Sequence, residues 1–146
     1  LLQLADIPIH VQTDEAPWIQ RTTGVATDSL VLHQSGDKVA VGEIEINLLH
    51  TPGHTPGSQC FLVENMLIAG DTLFLEGCGR TDLPGSNPEQ MFESLQLLSK
   101  LDDDVIVYPG HQYSIPKSMS MGEVRTTNYV FKPKTKDGWM QWFGGA

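Results

Sequence analysis

The chain has 146 residues, 40% of them hydrophobic and 18% charged, a balance that suits one globular domain of ordinary composition. Its net charge of −9 and isoelectric point near 4.8 exclude nucleic acid and anionic lipid surfaces as general partners, because most of the exterior would repel a phosphate. No stretch approaches the roughly 18 consecutive apolar residues of a membrane span, and no charged-then-apolar signal segment opens the chain.

The chain starts at Leu1-Leu2-Gln3-Leu4, without Met and inside a periodic apolar pattern, so it reads as a single domain over residues 1–146 that is incomplete at its N-terminus. Ile7 to Val11 is a short apolar run interrupted by Pro8, which suits an edge strand or a strand start. Thr13 to Arg21 reads as a short helix or irregular turn, and Gly36-Asp37 as a turn. Glu43 to Leu48 alternates polar and apolar with period two, the pattern of a half-buried strand. Cys60 to Val63 and Met66 to Ala69 are apolar runs separated only by Glu64-Asn65, which implies a hairpin.

From Asn87 the period changes to that of a helix. Asn87 can cap, Pro88 suits the first helical position, and Met91, Leu95 and Leu98 share one face of a helix reaching about Leu101. Val105 to Tyr108 is a compact buried strand. Ser120 with Glu123 makes a capping-box signature for a helix to about Asn128, and Trp139, Trp142 and Phe143 recur at helical spacing in a tail expected to pack on the domain.

This order carries a topological consequence. If strand 43–49 runs up, the hairpin brings 60–63 down and 66–69 up, and the helix returns the chain so that strand 105–108 rises again as a parallel neighbour. His54, Asp71 and His111 then lie just past the upper ends of three strands, at one sheet edge, where scaffold-held sites are commonly built. Each sits among glycine and proline, in Thr51-Pro52-Gly53-His54-Thr55-Pro56-Gly57, Gly70-Asp71-Thr72 and Pro109-Gly110-His111, loops suited to fixing a side chain. Two imidazoles and a carboxylate suit zinc or iron, and a carboxylate has two oxygens with which to bridge a metal pair. His10, His33 and His50 are read as hydrogen-bonded histidines without a metal role. Cys60, in an apolar run, and Cys78, in a glycine-rich loop, show neither disulfide nor zinc-ribbon spacing, which points to a reducing, cytoplasmic setting.

The strings LLHTPGHTPGS, IAGDTLF, GCGRTDLPG and VYPGHQY, in that order over roughly Glu43 to Tyr113, resemble the metallo-β-lactamase superfamily, and most closely its glyoxalase II-like (hydroxyacylglutathione hydrolase-like) branch. The resemblance implies the C-terminal portion of an α/β, αββα sandwich holding two divalent metals, zinc first, with iron or manganese as alternatives. It implies that His54 binds one metal, that Asp71 bridges both as the catalytic carboxylate, and that His111 binds the second. It further implies hydrolysis of a small-molecule thioester or related ester through a metal-bound hydroxide, by a protein compatible with homo-oligomer formation. The family's H-x-H-x-D-H motif has no counterpart here, and Leu1 to Val11 resembles the helix and strand that follow it, so the activity is expected of a larger parent and weakly, if at all, of this part. Arg80, in Gly77-Cys78-Gly79-Arg80-Thr81-Asp82, could orient a substrate carboxylate or pair with Asp82 to hold the loop.

Two other functions fit the pattern. Persulfide dioxygenases of the same superfamily carry a similar GCGRTD loop and use one iron, for which His54 and Asp71 would be ligands and His111 would not. A non-catalytic fragment or pseudoenzyme is the third. Glyoxalase II enzymes add a helical region that grips glutathione, and only 35 residues follow His111 here.

Overall fold

The computed structural model describes residues 7–144. Strand β1 (Ile9–Gln12) pairs in parallel with β2 (Leu30–His33), from Ile9 opposite Leu30 to Gln12 opposite His33. A parallel pair needs a crossover, and α1 (Ala16–Thr23) supplies it. Gly24 ends α1 in the left-handed region at φ 71°, its N–H closing on Gln20 O. The opening apolar pattern at residues 1–6 lies outside the described residues.

The main sheet begins at β3 (Lys38–Val41) and continues through β4 (Ile44–His50), β5 (Gln59–Val63) and β6 (Met66–Gly70), all antiparallel. Val63 lies opposite Met66, so Glu64 and Asn65 form the expected two-residue hairpin, with Glu64 at φ 53°. A small hairpin of β7 (Leu73–Phe74) and β8 (Gly77–Cys78) follows, then α2 (Pro88–Leu98) and β9 (Ile106–Pro109). Strand β9 pairs in parallel with β6, and β10 (Met119–Ser120) closes the sheet in the order β10-β9-β6-β5-β4-β3. The helices α3 (Met121–Thr127) and α4 (Lys136–Phe143) complete the described chain.

The pairing registers sort the side chains by face. Leu49, Cys60, Leu62, Leu67, Ala69 and Val107 share the face covered by helices, where Met91, Leu95 and Leu98 of α2, Met121 and Val124 of α3 and Trp139 of α4 form one core. Trp139 is fully buried; its indole N–H donates to Pro88 O at 2.8 Å and its ring stacks on Phe143 at 3.9 Å, so the tail packs on the domain as expected. On the opposite face Leu48 is buried and His10 of β1 shares a small cavity with Val39, Ile46 and Phe61. Beyond that cover Val41, Ile44, Ile68 and Tyr108 are 40–60% exposed, an apolar sheet face left partly open among the described residues.

Local sequence signals succeed where they are strong. Asn87 accepts from Gln90 N, and Ser120 and Glu123 form a reciprocal capping box. Helix α2 stops at Leu98 rather than Leu101, because Lys100 and Leu101 bond back three residues to Leu97 and Leu98 in a tightened last turn. Strands β2 and β3 carry no clear alternating signal and were not anticipated; their pairing with β1 and β4 is what makes them strands.

Candidate metal centre

Strands β4, β6 and β9 run the same way and end at His50, Gly70 and Pro109, so the loops after them share one edge as the topology required. The structure brings His54, Asp71 and His111 together there. His54 Nε2 stands 3.6 Å from Asp71 Oδ2, and His111 Nε2 stands 3.4 Å from Asp71 Oδ1. The three do not converge on one point, and among the described residues no group of three or more His, Cys, Asp and Glu could by itself hold a metal ion. Asp71 instead divides its two oxygens between two imidazoles.

Those spacings are informative. Two donors about 2.0–2.1 Å from one zinc at the tetrahedral angle lie about 3.3 Å apart, close to both observed separations and longer than an ordinary hydrogen bond. The donor chemistry and the spacing therefore fit a metal centre that His54, Asp71 and His111 would hold. The side chains of His54, Asp71 and His111 are 20%, 34% and 53% exposed, so solvent or a small molecule can reach all three.

Each side chain is held by its surroundings. His54 Nδ1 lies 2.9 Å from Arg80 O; a carbonyl can only accept, so Nδ1 donates and Nε2 is the nitrogen that faces Asp71. Gly79 makes this reach possible, because a Cβ there would lie 2.0 Å from Asp71 O and 3.0 Å from His54 Cγ. Gly110 sits as closely, its notional Cβ 2.7 Å from Asp71 Oδ1. His111 stacks on Tyr113 at 5.3 Å and meets the edge of Phe74 at 6.2 Å. The hydroxyls of Thr51 and Thr72, both buried, meet at 2.9 Å and tie the His54 loop to the Asp71 loop.

Arg80 lines the same cavity of about 390 Å³ as the three ligand candidates, with Phe74, Gly77, Cys78, Tyr113 and Tyr129. Its Nε and Nη2 donate to the two oxygens of Asp82 at 2.9 and 2.8 Å, a fork that holds the Asp82 carboxyl below the usual carboxylate range and raises the guanidinium. The side chain thus holds its own loop, while the main-chain carbonyl of Arg80 orients His54. Asn128, buried and not singled out in the sequence, donates to Phe74 O and Gly77 O and pins the β7–β8 hairpin under the cavity. Burial pushes the Cys78 thiol up to about 12 and that of Cys60 to about 11, so both are packed thiols.

The other histidines lie apart from the trio. His10 Nδ1 meets His33 Nε2 at 2.8 Å with the rings stacked, and His50 Nε2 donates to Pro56 O at 2.8 Å. Sequence reasoning missed Glu15, whose carboxylate reaches the His54 loop from α1; a lone Glu at a helix start gives no signal of a partner 40 residues away.

A carboxylate standing between two imidazoles at the strand ends of an α/β fold is a donor set of the kind that metal centres use. The chain belongs to the metallo-beta-lactamase superfamily, whose family model matches residues 7–111. It is 36% identical over 110 residues to a probable polyketide biosynthesis zinc-dependent hydrolase, BaeB, of Bacillus velezensis, covering 75% of this chain and 49% of that protein. It is 35% identical over 99 residues to a hydroxyacylglutathione hydrolase of Aeromonas hydrophila, covering 68% and 38%. The chain thus spans about half the length, or less, of these relatives. Among solved structures, a metallo-beta-lactamase from Staphylococcus aureus superposes with a TM-score of 0.81 at 27% identity, over 93% of this chain and 45% of that one. ETHE1 from Myxococcus xanthus superposes at 0.76 with 28% identity, over 98% and 71%. The fold is the α/β metallo-β-lactamase fold, and no helix among the described residues is long and apolar enough to cross a membrane.

Proposed function

We propose that the protein is a metal-dependent hydrolase of thioesters or related esters of the glyoxalase II-like kind, with His54 and Asp71 on one metal and Asp71 and His111 on the other. The observation that carries this reading is the division of the Asp71 carboxylate between two imidazoles at ligand-pair spacing. When bound, the metals would acidify a coordinated water and polarise the substrate carbonyl. The chain's own part is to hold the donors still: Arg80 O keeps His54 in one tautomer, and Gly79 and Gly110 admit no side chain that could push Asp71 aside.

Phe74, Tyr113 and Tyr129 offer an apolar wall to an acyl group. Arg80 Nη1 lies outside the fork with Asp82 and is the edge that would meet a substrate carboxylate. The name of the Bacillus relative supports zinc, and that of the Aeromonas relative supports a hydroxyacyl thioester. The partner is a small molecule in the cytoplasm, and a homo-oligomer is compatible with this fold.

The likeness to ETHE1 favours one second reading, an iron-dependent persulfide dioxygenase with His54 and Asp71 on the iron and His111 outside its shell. Metal analysis with thioester-hydrolysis and oxygen-uptake assays separates the two. In the hydrolase His54→Ala, Asp71→Asn and His111→Ala all lose metal and thioester turnover. Bound iron that survives His111→Ala, with persulfide-dependent oxygen uptake, would replace the hydrolase by the dioxygenase. Absence of metal from the unmodified protein would leave a structural domain.

A further inference from the structure

We infer that Glu15 is a positioning residue for His54, fixing the loop that carries it from a helix outside the main sheet. The inference rests on the reading of His54 as a metal ligand. Glu15 stands at the start of α1, and its Oε2 accepts from Thr55 Oγ1 at 2.9 Å and from Gly57 N at 3.0 Å. These donors are one and three residues beyond His54. A Cβ on Gly57 would fall 2.3 Å from Glu15 Cβ and 2.4 Å from Glu15 N, so the loop lies directly on the start of α1.

The same loop is pressed from the other side. A Cβ on Gly53 would come within 2.5 Å of Met91 Cα in α2, Asn87 N donates to Gly53 O at 2.8 Å, and Ser94 Oγ donates to Pro52 O at 2.6 Å. His54 therefore sits between a contact on α2 just before it and a contact on α1 just after it. The α2 side combines backbone packing, one main-chain bond and the Ser94 hydroxyl. The α1 side depends on one carboxylate oxygen, which receives a hydroxyl and an amide at once.

A second contact from the same turn supports the role. His50 Nε2 donates to Pro56 O and lies 3.8 Å from Asp14 Oδ2, so the Asp14-Glu15 turn meets the loop at Thr55, Gly57 and the His50–Pro56 bond. Released from Glu15, the segment from Thr55 to Gly57 keeps its internal bonds to Ser58 and the His50 bond to Pro56 O but loses its anchor on α1 at both Thr55 and Gly57. His54 would then swing relative to Arg80 O and Asp71, which do not depend on Glu15.

The test compares the 146-residue chain with its Glu15→Gln, Glu15→Ala and Thr55→Val variants. Histidine ring nitrogen shifts and amide hydrogen exchange are recorded without metal, and Co²⁺ is then titrated with its visible spectrum as the signal. Glutamine keeps an acceptor oxygen, so Glu15→Gln should retain the single His54 tautomer and bind Co²⁺ within about threefold of the parent. Glu15→Ala should raise exchange at Gly57 about tenfold or more, mix the His54 tautomers and weaken Co²⁺ binding by about 10- to 100-fold, the range for loss of an outer-shell partner. Thr55→Val removes one of the two donors from the opposite side and should show a smaller change of the same kind, independently of whether Glu15→Ala folds. Unchanged exchange and tautomer in both Glu15→Ala and Thr55→Val would overturn the inference, as would a Glu15→Gln variant as impaired as Glu15→Ala. A parent chain that binds no Co²⁺ but whose His54 tautomer still responds to Glu15 would retain the positioning role and remove the metal reading alone.

Discussion

Gly79→Ala is the sharpest perturbation the site allows. The added carbon would lie 2.0 Å from Asp71 O, where ordinary contact begins at 3.4 Å, a deficit of 1.4 Å. The atom it meets is backbone, which cannot turn away, so the 79–82 loop must retreat. The His54 Nδ1 to Arg80 O bond, now 2.9 Å, would then stretch past hydrogen-bonding distance, and the ring would lose the contact that selects its tautomer. Overpacking of this kind costs about 1–3 kcal/mol, which for a domain of this length lowers Tm by roughly 3–9 °C. The assay is a thermal melt followed by zinc titration against a competing chromophore. The expected result is the lowered Tm together with zinc affinity reduced by at least about tenfold. A variant with unchanged Tm and unchanged zinc affinity would refute the argument that Gly79 is a glycine because the loop must touch Asp71 and His54.

Other consequences are open to simple measurement. Trp139→Ala removes a fully buried indole and its bond to Pro88 O and should cost about 3–5 kcal/mol in urea denaturation, whereas Trp142→Ala, at an exposed position, should cost little. Asp82→Asn should leave Tm within a few degrees, since the Arg80–Asp82 pair is largely exposed, while loosening the loop and weakening zinc binding; equal zinc affinity would count against the loop-holding role. Both thiols are raised by burial, to about 11 for Cys60 and about 12 for Cys78, so the unfolded chain ionises first as pH rises. The stability they favour is full below about pH 9 and is lost on the way to pH 11–12; for Cys60 the loss is on the order of 2–3 kcal/mol, and Cys60→Ala should flatten the alkaline stability profile. The open face bearing Val41, Ile44, Ile68 and Tyr108 should make the chain self-associate with concentration, and Ile68→Lys should reduce light scattering without lowering Tm by more than a few degrees.

Local pattern was enough to place most of the elements. Asn87, Ser120 and Glu123 announce their helices because a cap is a contact between residues three apart, and the period-two run before His50 announces its strand because alternation is a property of the strand itself. The co-location of His54, Asp71 and His111 was legible for a related reason: hairpin and crossover rules fix strand direction, and direction fixes which loops share an edge. Strands β2 and β3 were not legible, because four residues without alternation become a strand only when a neighbour supplies the hydrogen bonds.

What the tertiary structure alone decided lies in the contacts between loops. The sequence marked Arg80 by its side chain, yet it is the main-chain carbonyl that reaches His54, and every residue has a carbonyl. Glu15, Thr72 and Asn128 act on partners 21 to 54 residues away, through bonds whose donors and acceptors are ordinary groups. The chain by itself therefore determined which side chains could bind metal and at which edge they meet. The distances that divide Asp71 between two imidazoles came only from folding, because they depend on how closely glycine-bearing loops from separate strands can press together.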